Sequence, residues 1–283
     1  MAVLLDGDAF AARCRAEIKA RAERSEFVRN GNRPCLATIL VGEDPASRDY
    51  VSRKHGDCRE LGFHSRQIEM PASTQRRELL DAVETLNRDP SCHGLLVQLP
   101  LPPHLDPAEI QEAVDPAKDV DGLHLLNLGR MMTGRPGLRP CTPKAIIGLL
   151  QAHGVPLAGR RVAVIGRGLL VGRPLAIMLA APGVDAAPTL LHRGSGDPAP
   201  ILRESDVIVA AAGQPDLVQA GMVKPGACVV GVGISYCDGQ MVSDIADDVA
   251  GVAGFVTPRH GSVGAVTRAM LMSNLLDAAL SSA

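Results

Sequence analysis

Aromatic residues are scarce in this sequence of 283 residues, which contains four phenylalanines, two tyrosines and no tryptophan. An excess of charge of one sign is also lacking, since 29 basic side chains are balanced by 31 acidic ones and the formal net charge is -2. Sequence-independent binding of nucleic acids relies on a basic surface and, for single strands, on aromatic rings that stack on bases. Both absences argue against a nucleic-acid partner.

Paired cysteine motifs and long apolar runs are lacking too. The seven cysteines are scattered and never form a C-x-x-C pair, so we expect no disulfide framework, no metal site and a reducing cytoplasm. No run reaches the ~18 apolar residues of a membrane-spanning helix. The first ten residues, MAVLLDGDAF, lack the basic region of an export signal. We therefore expect neither export nor a membrane span.

The chain length and the order of the apolar segments predict two α/β domains. The chain is about twice the usual size of one domain. In its first third strands alternate with helices, which is the order of a parallel sheet covered by helices. The predicted elements there are a helix over 8–24, a strand over 35–41, a helix from Pro45 to Leu61 capped by Asp44, a strand over 64–70, a helix over 74–88 and a strand over 94–99.

A stretch rich in proline and glycine, residues 132–143, indicates the junction between the domains. The alternation of strands and helices restarts after it. The predicted elements there are helices over 142–153, 171–181 and 263–280 and strands over 161–165, 187–191, 206–211, 227–232 and 254–257.

A glycine-rich turn follows the first strand of this second half. In the segment RVAVIGRGLLVGRP, which ends at Pro174, Gly166, Gly168 and Gly172 have the spacing G-x-G-x-x-x-G. Glycines there permit a tight turn and let backbone amides approach a pyrophosphate at a helix N-terminus. The pattern indicates dinucleotide binding, although a purely structural strand-to-helix turn has the same glycines.

A cation follows the next predicted strand. Sites specific for NAD usually carry an acid there to bind the ribose 2′-hydroxyl, whereas this sequence has Arg193 after His192. Arg193 suits the 2′-phosphate of NADP. The alternative interpretation is a solvated loop charge.

Three polar residues of the first domain share one face of the helix that begins at Pro45. Ser47, Tyr50 and Lys54 are spaced i, i+3 and i+7, so a tyrosine ring and a lysine amine project together. An amphipathic helix whose lysine reaches into water is the alternative.

Two further segments carry polar residues at unusual places. Gln98 lies inside the apolar run from Leu95 to Leu99, where an unpartnered amide would cost about 1 to 3 kcal/mol, and such a residue is often placed for a ligand. Asp119 and Asp121 precede a glycine turn at Gly122. A solvated acidic turn is the alternative for the two aspartates.

Five segments together resemble the bifunctional methylenetetrahydrofolate dehydrogenase and methenyltetrahydrofolate cyclohydrolase family. They fall in matching order across nearly the whole chain, and their combination is far more specific than the glycine pattern alone. The segments are SRDYVSRKHGDCRELG at 47–62, GLLVQLPLP at 94–102, PAKDVDGLHLLNLGR at 116–130, PCTPK at 140–144 and VIGRGLLVGRP at 164–174.

The resemblance implies a two-domain α/β fold. Its parts are a folate-binding catalytic domain with a parallel sheet over 1–139, a Rossmann-type NADP-binding domain over 140–264, and a C-terminal helix, 265–283, that packs back on the first domain. Folate would bind in the cleft between the domains of each subunit of a homodimer. The implied reactions, in one-carbon metabolism and purine biosynthesis, are NADP-dependent oxidation of 5,10-methylenetetrahydrofolate and hydrolysis of its product to 10-formyltetrahydrofolate.

The resemblance also assigns roles to residues. Lys54 is the implied catalytic lysine, Tyr50 stacks on the folate, Gln98 bonds the lysine and Asp121 holds the pterin. The remaining implied substrate positions are Ser47, Leu99, Pro100, Gly261 and Gly264. The implied positions for NADP, with NAD as a possible substitute, are Gly166, Arg167, Gly168, Gly172, Arg173, Pro174, His192, Arg193, Gly213, Gly233, Ile234 and Thr267.

The chemistry of the implied reactions explains why a lysine would be paired with an amide. Removal of hydride from the methylene bridge leaves a cation, so a neutral amine beside that carbon is preferable to an ammonium. Burial next to the uncharged amide of Gln98, rather than beside a carboxylate, would lower the pKa of Lys54. The amine could then manage protons when water attacks the cation. The carboxylate of Asp121 can accept two hydrogen bonds from the pterin.

The sequence departs from the family pattern at several positions. Gly168 and Arg193 replace serines of the cofactor site, and Gly231 stands where an aspartate is common. In the segment TPRHGSVGAVTRAM the departures are Arg259, His260, Ser262 and Ala265. Either these changes are neutral drift, or cofactor placement or substrate preference has changed. A diverged paralogue that binds folate or dinucleotide with reduced activity is the alternative function, and an amino-acid-dehydrogenase-like enzyme would not need Tyr50, Gln98 and Asp121 together.

Overall fold

A computed structural model describes residues 2–237, 240–258 and 262–282. Its contacts divide the chain into two compact units. The large-sheet unit comprises Met1–Ala12 and Thr142–Thr267, and the small-sheet unit comprises Arg13–Cys141 and Arg268–Ala283. No helix among the described residues is both long enough and apolar enough to cross a bilayer.

The regular elements are named in chain order. The strands are β1 (Val3–Leu4), β2 (Cys35–Val41), β3 (His64–Met70), β4 (Gly94–Val97), β5 (Arg161–Ile165), β6 (Ala187–Leu191), β7 (Val207–Ala210), β8 (Cys228–Gly231), β9 (Ile234–Cys237), β10 (Gln240–Ser243) and β11 (Phe255–Val256). The helices are α1 (Gly7–Arg24), α2 (Glu26–Arg29), α3 (Pro45–Leu61), α4 (Arg76–Arg88), α5 (Pro107–Ala113), α6 (Leu125–Met132), α7 (Cys141–Ala152), α8 (Gly172–Leu179), α9 (Ala199–Glu204) and α10 (Val263–Ser281). Short 3-10 turns cover Ala220–Met222 and Asp247–Gly251.

The small-sheet unit is built on three parallel strands in the order β3-β2-β4. The central strand, β2, is buried at all seven positions, as its unbroken apolar sequence predicts. Helix α3 begins where the sequence predicts, because Asp44 accepts a hydrogen bond from the backbone N–H of Ser47 and Pro45 takes the first position. It ends at Gly62, whose φ of +70° suits glycine.

The large-sheet unit contains six parallel strands in the order β1-β11-β8-β7-β5-β6. From β5 the chain first adds β6 on one side and then crosses to β7 on the other side. The carboxyl ends of β5 and β7 therefore flank a topological switch point, which is where open α/β sheets bind ligands. This arrangement confirms the predicted Rossmann-type architecture of the second half.

One prediction about the fold was wrong in a way that concerns function. The strand expected over 94–99 ends at Val97, so Gln98 and Leu99 lie beyond it. The Gln98 N–H still bonds the Ile39 carbonyl at 2.9 Å, but Pro100 has no N–H with which to extend the ladder. Gln98 is half-buried at the strand end rather than enclosed within the strand.

Candidate functional site

The buried face of α3 carries polar residues among apolar ones. Ser47, Lys54 and Asp57 alternate with Val51, Cys58 and Leu61 at helical spacing. Lys54 is only 3% exposed. Its stem therefore does not carry the amine into water, and the amphipathic alternative for this helix is wrong for Lys54.

The amine of Lys54 contacts Gln98 and Tyr50, the two residues that the sequence analysis places with it. Its Nζ donates to Oε1 of Gln98 at 3.1 Å and lies 4.6 Å from the centroid of the Tyr50 ring. The amide of Gln98 is held in turn, since its Nε2 donates to the Leu99 carbonyl at 2.6 Å, and the Ser47 hydroxyl reaches the same carbonyl at 3.5 Å. The structure thus joins Ser47, Tyr50, Lys54, Gln98 and Leu99 in one cluster. The Leu99–Pro100 peptide bond beside it is cis.

Burial lowers the pKa of Lys54 below its ordinary value of 10.5. The negative charge of Asp121 and the ionisable thiol of Cys141 oppose this shift, while the positive charge of Arg268 adds to it. Desolvation is the dominant cause. The hydrogen bond described for the amine goes to the uncharged amide of Gln98 and not to a carboxylate, so it does not stabilise the ammonium as a carboxylate would. The neutral amine is therefore favoured relative to a lysine in water.

Burial also raises the pKa of Tyr50 to about 12, with Asp121 adding to the effect. The phenol consequently remains protonated over the whole physiological range. A neutral ring over a buried amine offers a flat apolar surface on which a planar heterocycle can stack.

The two aspartates before Gly122 have different surroundings. Asp119 is buried and accepts hydrogen bonds from the backbone N–H of His124 at 2.8 Å and from Nδ2 of Asn127 at 2.9 Å, so it fixes the start of α6. Asp121 is half-buried, and the atoms packed around its carboxyl raise its pKa, against the opposing charge of Lys54. A solvated acidic turn is therefore wrong for Asp119, while Asp121 is the carboxylate whose charge acts on the amine.

The backbone around Asp121 is held by a residue that the sequence did not single out. Nδ2 of Asn274, on α10, donates to the carbonyls of Val120 and Arg139, each at 2.8 Å. The N–H of Cys141 bonds the Asp121 carbonyl at 3.2 Å. An asparagine within the mostly apolar run from Ala269 to Leu276 is a local signal for this role.

The glycine-rich turn of the large-sheet unit leaves no room for side chains at two of its three glycines. A Cβ on Gly166, whose φ is +116°, would lie 2.2 Å from the Ala211 carbonyl oxygen, and one on Gly172 would lie 1.7 Å from the Gly166 carbonyl oxygen. A Cβ on Gly168 would meet nothing within 4 Å. The turn thus packs tightly against the first turn of α8 and against the loop after β7.

The loop after β7 is held by a buried acid, Asp244. Its carboxylate, with no exposed surface, accepts hydrogen bonds from the N–H groups of Ala212, Gly213 and Gln214 at 2.7, 3.1 and 2.8 Å. Gly233 makes room for this carboxylate, since a Cβ there would lie 2.1 Å from it. Sequence reasoning missed Asp244, which lies between Ser243 and Ile245 in a stretch with further aspartates and has no distinctive local signal.

Exposed arginines occur at the same edge of the large sheet. Arg167 lies in the glycine-rich turn, Arg173 in the first turn of α8 and Arg193 in the loop after β6, and all three are exposed. That loop is ordered by its own bonds: Nδ1 of His192 accepts from the Gly194 N–H, and the Ser195 hydroxyl oxygen accepts from the His192 N–H, each at 3.0 Å.

This edge of the sheet fits a dinucleotide. Glycines in the turn let backbone amides approach a pyrophosphate, the N-terminus of α8 favours its negative charge, and cations follow both β5 and β6. Pro174 is buried in the first turn of α8, and Ile234 begins β9 next to Gly233.

The predicted residues near the start of α10 are described only in part. The Thr267 hydroxyl donates to the Val263 carbonyl at 3.0 Å and lies 3.4 Å from the Thr142 hydroxyl, and Gly264 is in the first turn of the helix. Gly261, with the departures at 259 and 260, lies outside the described residues. At the departure Gly231, a Cβ would lie 2.6 Å from the Ser243 hydroxyl oxygen, so an aspartate there would require Ser243 to move.

Two family descriptions match the chain, one over each half. Residues 5–121 match the catalytic domain of tetrahydrofolate dehydrogenase/cyclohydrolase, and residues 140–283 match the NAD(P)-binding domain of the same enzyme.

Solved structures with similar folds carry related names. The bifunctional enzyme FolD, a methylenetetrahydrofolate dehydrogenase/cyclohydrolase from Campylobacter jejuni, is 38% identical over 99% of each chain with a TM-score of 0.94. A 5,10-methylenetetrahydrofolate dehydrogenase from the silkworm Bombyx mori is 36% identical over 99% of each chain, also with a TM-score of 0.94. The dehydrogenase-cyclohydrolase of Trypanosoma brucei, solved with NADP and an inhibitor, is 38% identical over 98% of this chain and 97% of that one, with a TM-score of 0.92.

Proposed function

The chain belongs to the tetrahydrofolate dehydrogenase/cyclohydrolase family, and from this membership we propose how its residues carry the two activities of the family. The enzyme oxidises 5,10-methylenetetrahydrofolate to 5,10-methenyltetrahydrofolate with NADP and hydrolyses the product to 10-formyltetrahydrofolate. The contact of the Lys54 amine with Gln98 and the Tyr50 ring is the observation that carries the assignment of the chemistry to this cluster. Nothing in the comparisons favours a diverged paralogue.

Lys54 is proposed as the group that transfers protons at the folate carbon. Both reactions pass through the methenyl cation, and an ammonium at that carbon would repel it. The buried amine, whose pKa is lowered, is compatible with the cation and can accept a proton from the water that attacks it. Gln98 accepts a hydrogen bond from the amine without adding a charge, and so orients it.

Tyr50 and Asp121 are proposed to hold the pterin. The neutral Tyr50 ring offers a stacking surface, and the Asp121 carboxyl offers two oxygens to the amino group and ring N–H of the pterin. Ser47, Leu99 and Pro100 are proposed to line the same site, and Gly261 and Gly264 stay predicted substrate positions.

Replacing Asp121 with asparagine is expected to weaken folate binding by roughly 1.5 to 3 kcal/mol, because the shape remains while the charge-assisted acceptor is lost. Calorimetric titration with a folate analogue measures this affinity, and NADP titration of the same sample is the control. Unchanged folate affinity would assign Asp121 to the turn alone.

NADP is proposed to bind at the carboxyl edge of the large sheet, where it supplies the hydride acceptor. Gly166, Gly168 and Gly172 would admit the pyrophosphate, with Gly213, Gly233, Ile234 and Thr267 bordering the site. The cations Arg167, Arg173 and Arg193 and the imidazole of His192 would lie towards the phosphates. The tight packing of the turn and the exposure of these arginines support this assignment.

Replacing Arg193 with alanine is expected to raise the KM for NADP about tenfold and to leave the KM for NAD nearly unchanged, since only NADP has a 2′-phosphate. Steady-state kinetics with both cofactors measure the difference. Arg160→Ala is the matched control, because Arg160 is an exposed arginine at the amino end of β5. Equal effects on both cofactors would refute a specific role for Arg193.

The proposed domains are a folate domain of residues 1–139 with the helix 265–283 and an NADP domain of residues 140–264. The compact units of the structure have other bounds, because Met1–Ala12 and residues 265–267 belong to the large-sheet unit. The proposed setting is a homodimer in the cytoplasm that supplies formyl groups for purine biosynthesis. The cysteines at 14, 35, 58, 92, 141 and 228 are buried as thiols rather than disulfides, which supports a reducing compartment.

One assay tests the function directly. Purified protein is given 5,10-methylenetetrahydrofolate with NADP or, in parallel, with NAD, and the methenyl compound is followed by its absorbance. We expect NADP-dependent formation of the methenyl compound followed by its hydrolysis. Absence of both steps would refute the proposed function.

A further inference from the structure

A buried ion pair lies on the same face of α3 as Lys54. Asp57 follows Lys54 by three positions, so the two side chains lie on one side of the helix, and both are buried. Nε of Arg268, on α10, donates to Oδ2 of Asp57 at 2.8 Å. The Arg268 and Asp57 side chains are only 17% and 9% exposed.

The helix that carries Arg268 is packed firmly on α3 within the small-sheet unit. One turn after Arg268, the Sδ of Met272 lies 3.6 Å from the Sγ of Cys58, the residue after Asp57. Two successive turns of α10 therefore contact neighbouring positions of α3. Arg268 has a fixed place beside the face that carries Lys54.

Stability alone does not account for this ion pair. Burying two charges costs about as much desolvation free energy as their attraction returns, and apolar pairs of the same size are often as stable. The other ion pair of α10, Asp277 with Arg21, lies at the surface, where its side chains are 36% and 46% exposed. The buried pair is the one next to the reactive amine.

The charges around Lys54 indicate what Arg268 does. The Asp121 carboxylate and the ionisable Cys141 thiol favour the ammonium form, whereas the charge of Arg268 lowers the pKa of Lys54 in the same direction as burial, which is the largest cause. The neighbouring groups on α3 are Tyr50, whose pKa Arg268 lowers and Asp57 raises, and His55, whose pKa Lys54 itself lowers. Arg268 thus opposes the Asp121 carboxylate at the amine.

We propose that Arg268, held in place by Asp57, is a positioning residue that maintains the amine of Lys54 in the neutral form needed at the folate carbon. This role rests on the proposed cyclohydrolase activity and adds to it a charge that acts through Lys54 without touching the substrate. The charge of Arg268 adds to burial, which is the larger cause, in opposing the Asp121 carboxylate.

The pH dependence of kcat for hydrolysis of 5,10-methenyltetrahydrofolate tests this role. If the neutral amine is the active form, the rate rises with pH through one ionisation. Arg268→Met removes the cation and leaves Asp57 uncompensated, so we expect the midpoint of the rise to move up by roughly 0.5 to 1 pH unit. Asp57→Asn leaves the cation uncompensated, so we expect the midpoint to move down.

Two further variants separate charge from packing. Arg268→Lys retains a cation and should restore the midpoint of the wild type. Arg21→Met removes the arginine of the surface pair of α10 and should leave the midpoint unchanged. General loosening of the helices cannot move the midpoint in opposite directions for Arg268→Met and Asp57→Asn.

The outcomes distinguish this role from the proposed function. Identical midpoints in the wild type, Arg268→Met and Asp57→Asn, with an active wild type, would overturn the role of Arg268. An inactive wild type would instead overturn the cyclohydrolase assignment. Should Arg268→Met fail to fold, as judged by circular dichroism, the midpoint of Asp57→Asn decides: a downward shift supports the role, and no shift overturns it.

Discussion

Replacing Lys54 with methionine is expected to reduce hydrolysis of 5,10-methenyltetrahydrofolate by about 10²- to 10⁴-fold, the range typical for loss of a proton-transferring group. Methionine fills the space of the apolar stem and lacks the amine. Arg53→Met is the matched control, because Arg53 is the preceding residue of α3 but points to the surface and pairs with Asp49. Stopped-flow absorbance measures both rates. A Lys54→Met variant as active as Arg53→Met would remove Lys54 from the mechanism.

The same substitution is expected to stabilise the protein near neutral pH. The pKa of Lys54 is lowered in the folded state, so the unfolded chain binds a proton more readily than the folded chain does. Below the unfolded pKa this difference lowers the free energy of unfolding. This cost disappears as the pH approaches the unfolded pKa of about 10.4. Lys54→Met should therefore melt above the wild type at pH 7, and the difference should shrink towards pH 10. A variant that melts lower at both pH values would contradict this account.

Replacing Gly172 with alanine is expected to reduce NADP affinity at least about 100-fold, equivalent to roughly 2.7 kcal/mol. The new Cβ would lie 1.7 Å from the Gly166 carbonyl oxygen, so the glycine-rich turn and the start of α8 must separate. Hydrolysis of added 5,10-methenyltetrahydrofolate should persist, because the residues proposed for it belong to the small-sheet unit. Fluorescence titration with NADPH measures the affinity.

Gly168→Ala is the control for that experiment. It adds the same methyl group to the same turn, where a Cβ meets nothing within 4 Å. We expect its NADP affinity to stay within about threefold of the wild type, since no atom has to move. Equal losses in Gly168→Ala and Gly172→Ala would show that the packing of the turn does not control cofactor binding.

Elements with complete local signals could be predicted to the residue. Helix α3 has Asp44 and Pro45 at its start and Gly62 at its end, and β5 is a short apolar run that is buried after its first residue. Helix α5 has the same start signal in Asp106 and Pro107, although the sequence reasoning passed over it. Strand β1 could not be predicted, because its two residues are exposed and become a strand only by pairing with β11.

In the candidate site, too, contacts within one element could be predicted and contacts between distant segments could not. The shared face of Ser47, Tyr50 and Lys54 follows from helical spacing within one element, and the structure brings Tyr50 and Lys54 together as expected. The pair of Asp57 and Arg268 joins residues 211 positions apart, and no local pattern relates them. Asp244 escaped notice because its partners are backbone N–H groups, which every residue type except proline possesses.

The carboxylate of Asp244 connects both ends of the hairpin of β9 and β10 to the loop after β7. Gly233 immediately precedes the hairpin and Asp244 immediately follows it, and these two residues pack directly against each other. The two ends of the hairpin are thereby fixed to the loop after β7, whatever the length of the segment between them. Changes within the hairpin that keep Gly233 and Asp244 should therefore leave the amides of Ala212, Gly213 and Gln214 bonded to the same carboxylate.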